Sequence, residues 1–133
     1  MRRPSQTLRR EDGQAITEFA LILPVLVALL LGIIQFGIVF NNYLTITDAA
    51  RAGARKAAVS RFIGDNGASA KTTAQNSAQQ LDQTALKVTV TSTNWNVPGS
   101  DVNVTVTYPY SINILGWTVK AGDLSSTTKE RLE

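Results

Sequence analysis

The chain has 133 residues, a net charge of +3, and neither cysteine nor histidine. That inventory excludes disulfides, thiol nucleophiles, imidazole catalysis and zinc sites of the usual ligand sets, and no cofactor is expected. The length suits one small domain plus an anchor, and the high isoelectric point comes from two basic segments flanking an apolar run, which argues against a nucleic-acid partner.

Residues 1–13 carry four Arg against Glu11 and Asp12. They read as a short charged leader that closes on Arg9-Arg10-Glu11-Asp12-Gly13. Five residues after Gly13 comes Glu18, then Phe19. A carboxylate in a first helical turn is favoured by the positive end of the helix dipole, so Glu18 alone is compatible with a simple interfacial position. Phe19 to Phe40 is a run of 22 residues without Asp, Glu, Lys or Arg. As a helix it is about 33 Å long, close to the ~30 Å hydrocarbon core of a bilayer. The run predicts a membrane-spanning helix at 19–40. It is too long for the apolar core of a cleaved secretory signal, and Ala50-Arg51-Ala52, the nearest small-x-small pattern, lies well beyond it.

Within the run, Ala20, Pro24, Ala28 and Gly32 recur every four residues. Such a ladder of small residues lets helices approach closely in lipid. Pro24 removes one helical hydrogen bond and is a candidate kink, and Gln35 is a lone polar group able to bond across helices. Each of these is also tolerated in an ordinary anchor.

Past Phe40 the helical pattern continues. Ala49, Ala50, Ala52, Ala54, Ala57 and Ala58 are strong helix formers. Asp48 and Arg51 are spaced for an ion pair on one face. Ala49, Gly53 and Ala57 form a smooth stripe. One helix is therefore expected from about Ala15 to Ile63, roughly 70 Å long. Gly64-Asp65-Asn66-Gly67 is the stop. Ala68 to Leu81 reads as a second, short helix capped by Ser69, with Ala70, Ala74, Ala78 and Leu81 on its apolar side.

The period then changes to two. Leu86, Val88 and Val90 alternate with polar residues, and so do Val102, Val104, Val106 and Tyr108. These predict an antiparallel hairpin with a long loop. Residues 108–122 are interrupted by Pro109 and Gly116 and are ambiguous, a loop with exposed aromatics being one reading. The closing stretch alternates weakly and is a candidate third strand. Some 70 residues after Ile63 bury only a thin core on their own, so the outer half of the long helix is expected to pack on the sheet through the alanine stripe. The fold class is α+β: a long N-terminal helix, a short helix, and an antiparallel sheet of two or three strands.

The combination of Gly13, Glu18 and Phe19 at the head of the apolar run resembles a type IV prepilin processing site. GQAITEFALILPVLVALLLGIIQFG, followed by TDAARAGARKAAV with its Asp48, Arg51, Gly53 and Arg55, resembles the TadE-like proteins of tight-adherence (Flp) pilus systems. The closing Lys129-Glu130-Arg131-Leu132-Glu133 is also similar to that family's last strand, whereas Ser125 to Thr128 is more polar than such a strand usually is.

The resemblance implies a structural minor pilin or pseudopilin, not an enzyme. A prepilin peptidase would cut after Gly13 and leave Gln14 as the new N-terminus. Glu18 and Phe19 would serve assembly and register. The expected partners are that peptidase, other pilins or pseudopilins, the pilus assembly platform and the lipid bilayer. The expected location is the bacterial cytoplasmic membrane, N-terminus inside and residues 64–133 outside. Major pilins of this branch lack a domain like 64–133. The alternative is an uncleaved signal-anchored protein whose Trp95, Trp117, Tyr108 and Tyr110 bind a surface ligand. No paired-carboxylate motif or Ser–Lys spacing favours an enzyme.

Overall fold

The computed structural model describes residues 8–62, 64–114 and 116–133, with side chains described from Gly13 onward except at Arg61. The elements in chain order are α1 (Leu8–Ala58), a 3-10 turn (Ser60–Phe62), α2 (Ala68–Ser77), β1 (Lys87–Ser92), β2 (Asp101–Ile114) and β3 (Trp117–Arg131). The three strands form one antiparallel sheet in the order β1-β2-β3.

α1 is 51 residues long and includes Pro24 without interruption. At 1.5 Å per residue it extends over about 75 Å. Its helical conformation begins before Gly13, so residues 8–12, expected to belong to a leader, are helical. The first seven residues lie outside the described part. At the other end α1 stops at Ala58, earlier than the expected Ile63, a residue that also lies outside the described part. The chain tightens there: the Ser60 hydroxyl donates to the Ala57 carbonyl at 2.7 Å, and Gly64 N–H to the Ser60 carbonyl at 3.1 Å. A serine that bonds its own preceding backbone competes with helix continuation.

The C-terminal part of α1 is the wall of the core. Ile46, Ala49, Ala50, Ala54 and Ala57 are fully buried. They meet Ala70, Ala74, Ala78 and Leu81 from the α2 region and Val88, Val102, Val104 and Val106 from the sheet. Small side chains on both helices allow close approach, as the alanine spacing implies. A bond from Gln80 Nε2 to Thr45 Oγ1 at 3.1 Å ties the end of the α2 region to α1. Ala78 and Leu81 are core residues although the helix proper ends at Ser77.

The cap of α2 differs from the expectation. Gly67, not Ser69, is the N-cap residue, and no side chain of the cap itself bonds the helix. The Asp65 carboxylate takes that role by accepting from Gly67 N–H at 3.0 Å and Ser69 N–H at 2.8 Å. Gly67 has φ of 86°. A Cβ there would lie 2.6 Å from Trp95 Cη2 and 2.9 Å from Val90 Cγ1. Gly67→Ala is therefore expected to destabilise the fold by about 2 kcal/mol or more, from left-handed strain plus overpacking. Thermal unfolding in detergent, followed by near-ultraviolet circular dichroism, reads this directly.

The structure decides against the loop reading of residues 108–122, ambiguous in the sequence. Residues 108–114 and 117–122 belong to β2 and β3, which pair from Asp101↔Arg131 to Ile114↔Trp117 with one irregularity between Ile112 and Asn113. Pro109 is compatible with a strand here because β1 pairs no further along β2 than Thr107. Beyond that point one edge of β2 is open, and an edge position tolerates a missing N–H. Gly116 supplies φ of 87° at the hairpin turn. The third strand is real, and its polarity has a reason. β3 is a sheet edge, and its inward Ser126 and Thr128 are only half-buried opposite Val106 and Val104. Thr105 and Thr127 bond across strands on the other face, Oγ1 to Oγ1 at 2.9 Å.

Asp101 anchors the start of β2 to β3, with one carboxylate oxygen 2.8 Å from Lys129 Nζ and the other 3.9 Å from Arg131 Nε. The hydrogen bond from Lys129, helped by the charges of Lys129 and Arg131, holds the Asp101 carboxyl below its ordinary value of 3.8 against the opposing effect of desolvation. A lowered folded value means that the contribution is present above the unfolded pKa and is lost as pH falls through the folded one. Asp101→Asn should lower the unfolding midpoint slightly at pH 7, and this difference should vanish in strong acid. The effect is small because the pair is solvent-accessible.

Candidate processing and assembly site

The sequence-predicted residues fall into two groups along α1. The first surrounds the head of the apolar run. Gly13, Gln14, Glu18 and Phe19 are all exposed. Gln14 Nε2 donates to Glu18 Oε1 at 3.0 Å, one helical turn apart. The Thr17 hydroxyl donates to the Gly13 carbonyl at 2.9 Å. A Cβ added at Gly13 would meet nothing within 4 Å. Nothing in the fold therefore requires glycine at this position.

The Gly13–Gln14 peptide bond lies within helical backbone. A protease acting there must locally unwind the helix. Glycine weakens a helix interior by about 1 kcal/mol relative to alanine, and terminal turns fray first.

From Phe19 to Phe40 the helix is uncovered. Phe19, Leu21, Val25, Ile33 and Phe36 each leave more than half of their surface open. The rings of Phe36 and Phe40 stack at 6.2 Å, and the described helix from Gly13 is long and apolar enough to cross a membrane. The outer half of the same helix is covered by the domain, so the two halves face different surroundings. Ala20 and Pro24 are exposed, while Ala28, Gly32 and Gln35 are half-buried among their helical neighbours. A Cβ added at Gly32 would meet nothing within 4 Å among the described residues. Because Pro24 has no N–H, the Ala20 carbonyl lacks its usual helical donor.

The second group is in the outer part. Arg51 Nη1 and Asp48 Oδ1 are 3.5 Å apart and both side chains are exposed. A pair of this kind contributes less than about 1 kcal/mol. Arg55 is exposed as well. Gly53 is buried at the crossing of α1, α2 and β2. A Cβ added there would lie 3.0 Å from Ala74 Cβ, 3.1 Å from Val104 Cγ1 and 3.2 Å from the Ala70 carbonyl oxygen. The first group thus faces outward from the molecule, and Gly53 alone of the second group faces inward. Ala50-Arg51-Ala52 lies inside this packed helix, with Ala50 fully buried.

Residues 13–55 match the family model described as TadE-like protein. The N-terminal helix is TadE-like. The match begins at Gly13, includes the whole apolar run and ends within the packed part of α1. It spans about a third of the chain. A TadE-like helix of this length and polarity fits a membrane-anchored protein associated with a tight-adherence pilus. Comparison with curated proteins and with solved structures gave no match.

Of the four aromatics raised as ligand-binding candidates, Trp95 and Tyr108 pack against the core, and Tyr110 lies over Gly122. Trp117 stands apart at 82% exposed. Among the described residues there is no group of three or more His, Cys, Asp or Glu able to hold a metal ion. Sequence reasoning missed Asp65 as the cap of α2. The signal was present in the Asp-Asn-Gly-Ala-Ser order, which puts a carboxylate two and four residues ahead of the N–H groups it accepts from.

Proposed function

We propose that the chain is a structural minor pilin or pseudopilin, cut after Gly13 by a prepilin peptidase and acting in assembly of a tight-adherence (Flp) pilus. The observation that carries this reading is the coincidence of three features at one point of α1. Gly13 is free of packing constraints, Glu18 stands at the head of an uncovered apolar helix, and the TadE-like match begins there.

In this reading residues 1–13 are a cytoplasmic leader, residues 14–63 contain the long helix with its transmembrane part at 19–40, and residues 64–133 form the extracytoplasmic domain. The protein resides in the cytoplasmic membrane, and its partners there are the peptidase, other pilins or pseudopilins and the assembly platform. Cleavage places a positive α-amine on Gln14. In a bundle of such helices that amine loses water, and a carboxylate nearby offsets a cost of several kcal/mol. Glu18 is suited to the task within one chain, since the Gln14 side chain already reaches it, or between neighbouring chains. The pairing would set axial register. Ala20, Pro24, Ala28 and Gly32 would supply the close-packing surface in lipid, and Asp48, Arg51, Gly53 and Arg55 belong to the segment that joins the anchor to the domain.

The intact mass of the protein extracted from membranes of its native host tests the reading. Loss of residues 1–13 with Gln14 at the N-terminus is the expected result. A chain that retains residues 1–13 in the presence of active peptidase would overturn it and leave a signal-anchored domain.

A further inference from the structure

We propose that the β2–β3 hairpin is a second membrane contact, with its tip seated in the lipid headgroup region beside the point where α1 enters the bilayer. The inference rests on the membrane-anchored reading of α1 and goes beyond it.

Direction comes first. Glu133 N–H donates to the Ala58 carbonyl at 3.0 Å, which puts the end of β3 at the outer end of α1. The residues next to it pair with the start of β2, Arg131 with Asp101. Val104, three residues along β2, lies against the Gly53 position. β2 therefore runs from the outer end of α1 back toward its apolar half. From Val104 to Ile114 is ten residues, about 33 Å of strand. From Gly53 to Phe40, the last residue of the apolar run, is 13 residues, about 20 Å of helix. The hairpin is longer than that distance by about 13 Å, which leaves room for a strand inclined to the helix.

Composition comes second. Past the last β1 partner, the face of the hairpin that continues the core carries Tyr108, Tyr110, Ile112 and Ile114, with Trp117 opposite Ile114 and Lys120 opposite Ile112. Trp117 is 82% exposed and Val119 65%. No described element covers them. Between Tyr108 and Gly122 the only charged residue is Lys120. Tryptophan with aliphatic neighbours and a lone lysine is the composition favoured at a membrane–water boundary, where the ring sits at headgroup level and the ammonium reaches anionic phosphate. A tryptophan standing in water has no such compensation.

The full chain is reconstituted in vesicles of phosphatidylcholine and phosphatidylglycerol whose acyl chains are brominated either near the headgroup or deep. Trp117 emission is isolated as the difference between the unaltered chain and Trp117→Phe, and independently with Trp95→Phe. The expected result is blue-shifted Trp117 emission, quenched most by the shallow bromines and unchanged when protein is diluted in lipid. Water-like emission quenched by aqueous iodide, from protein that floats with the vesicles, would overturn the proposal while sparing the anchored reading. A blue shift that disappears on dilution and resists bromine would overturn it in favour of a contact with a second copy. Protein that fails to float with vesicles would overturn both readings.

Discussion

Gly53→Leu is expected to detach α1 from the sheet and unfold the region from residue 64 onward, while the apolar half of the helix stays helical. The crowding at Gly53 involves a backbone oxygen, that of Ala70, as well as Ala74 Cβ and Val104 Cγ1. None of the three is the far end of a flexible side chain. A leucine there must force α1 and α2 apart, and the same movement uncovers Ala49, Ala50 and Ala54, which have little surface of their own to keep the layers together. Overpacking of a tight core typically costs about 1–3 kcal/mol for a few extra methylenes, and here the displaced partners are two whole elements. A region this size without disulfides has only several kcal/mol of margin.

Gly53→Ala separates packing from helix propensity. Alanine gains about 1 kcal/mol over glycine in a helix interior. It also brings a Cβ within 3.0–3.2 Å of its neighbours, so the gain is offset and the expected net change is small and destabilising. Limited proteolysis in detergent micelles reads both variants. Leucine should expose the strands to rapid cleavage, and alanine should leave the cleavage pattern unchanged with a slightly lower unfolding midpoint. A Gly53→Leu protein as resistant as the unaltered chain would show that the helix is not held where the contacts place it.

The reason Gly53 can be singled out from sequence, while the hairpin cannot, is physical. A four-residue stripe of Ala49, Gly53 and Ala57 on an otherwise strong helix former has one geometric consequence, a smooth face, and the fold uses it. The alternation of Val102, Val104 and Val106 is equally direct, because one buried face fixes the period. In residues 108–114 the alternation of Tyr108, Tyr110, Ile112 and Ile114 with Pro109, Ser111 and Asn113 is present, and one face is half-buried, but Pro109 and Gly116 break the strand signal. The open edge that accommodates Pro109 and the turn that uses Gly116 are set by strand pairing, which the sequence does not display. The inward positions of β3 are Ser126 and Thr128 because a sheet edge buries them only halfway. The end of α1 departs from its expected place for a local reason, the Ser60 hydroxyl turning back onto Ala57. At the head of the helix, Gly13 and Glu18 stand out by pattern, and both are exposed, with no tertiary packing among the described residues.

That freedom makes the second large prediction clean. Gly13→Phe should abolish processing and yield a chain that still carries residues 1–13, with the fold from residue 64 onward unaltered. Since a Cβ at Gly13 meets nothing within 4 Å, a loss of cleavage reports recognition by the peptidase and not a damaged domain. Glu18→Ala should behave differently. It removes an exposed bond to Gln14, worth about 1 kcal/mol or less, so folding and cleavage continue. Under the proposed function, what it removes on assembly is the partner of a desolvated amine. Breaking such a pair costs about 3–5 kcal/mol, a factor of more than about 100 in subunit association. The measurement is N-terminal mass together with the amount of chain co-purifying with other pilus components in the native host. Cleaved Glu18→Ala protein that co-purifies at the unaltered level would reduce Glu18 to an interfacial carboxylate, stabilised by the helix dipole and nothing more.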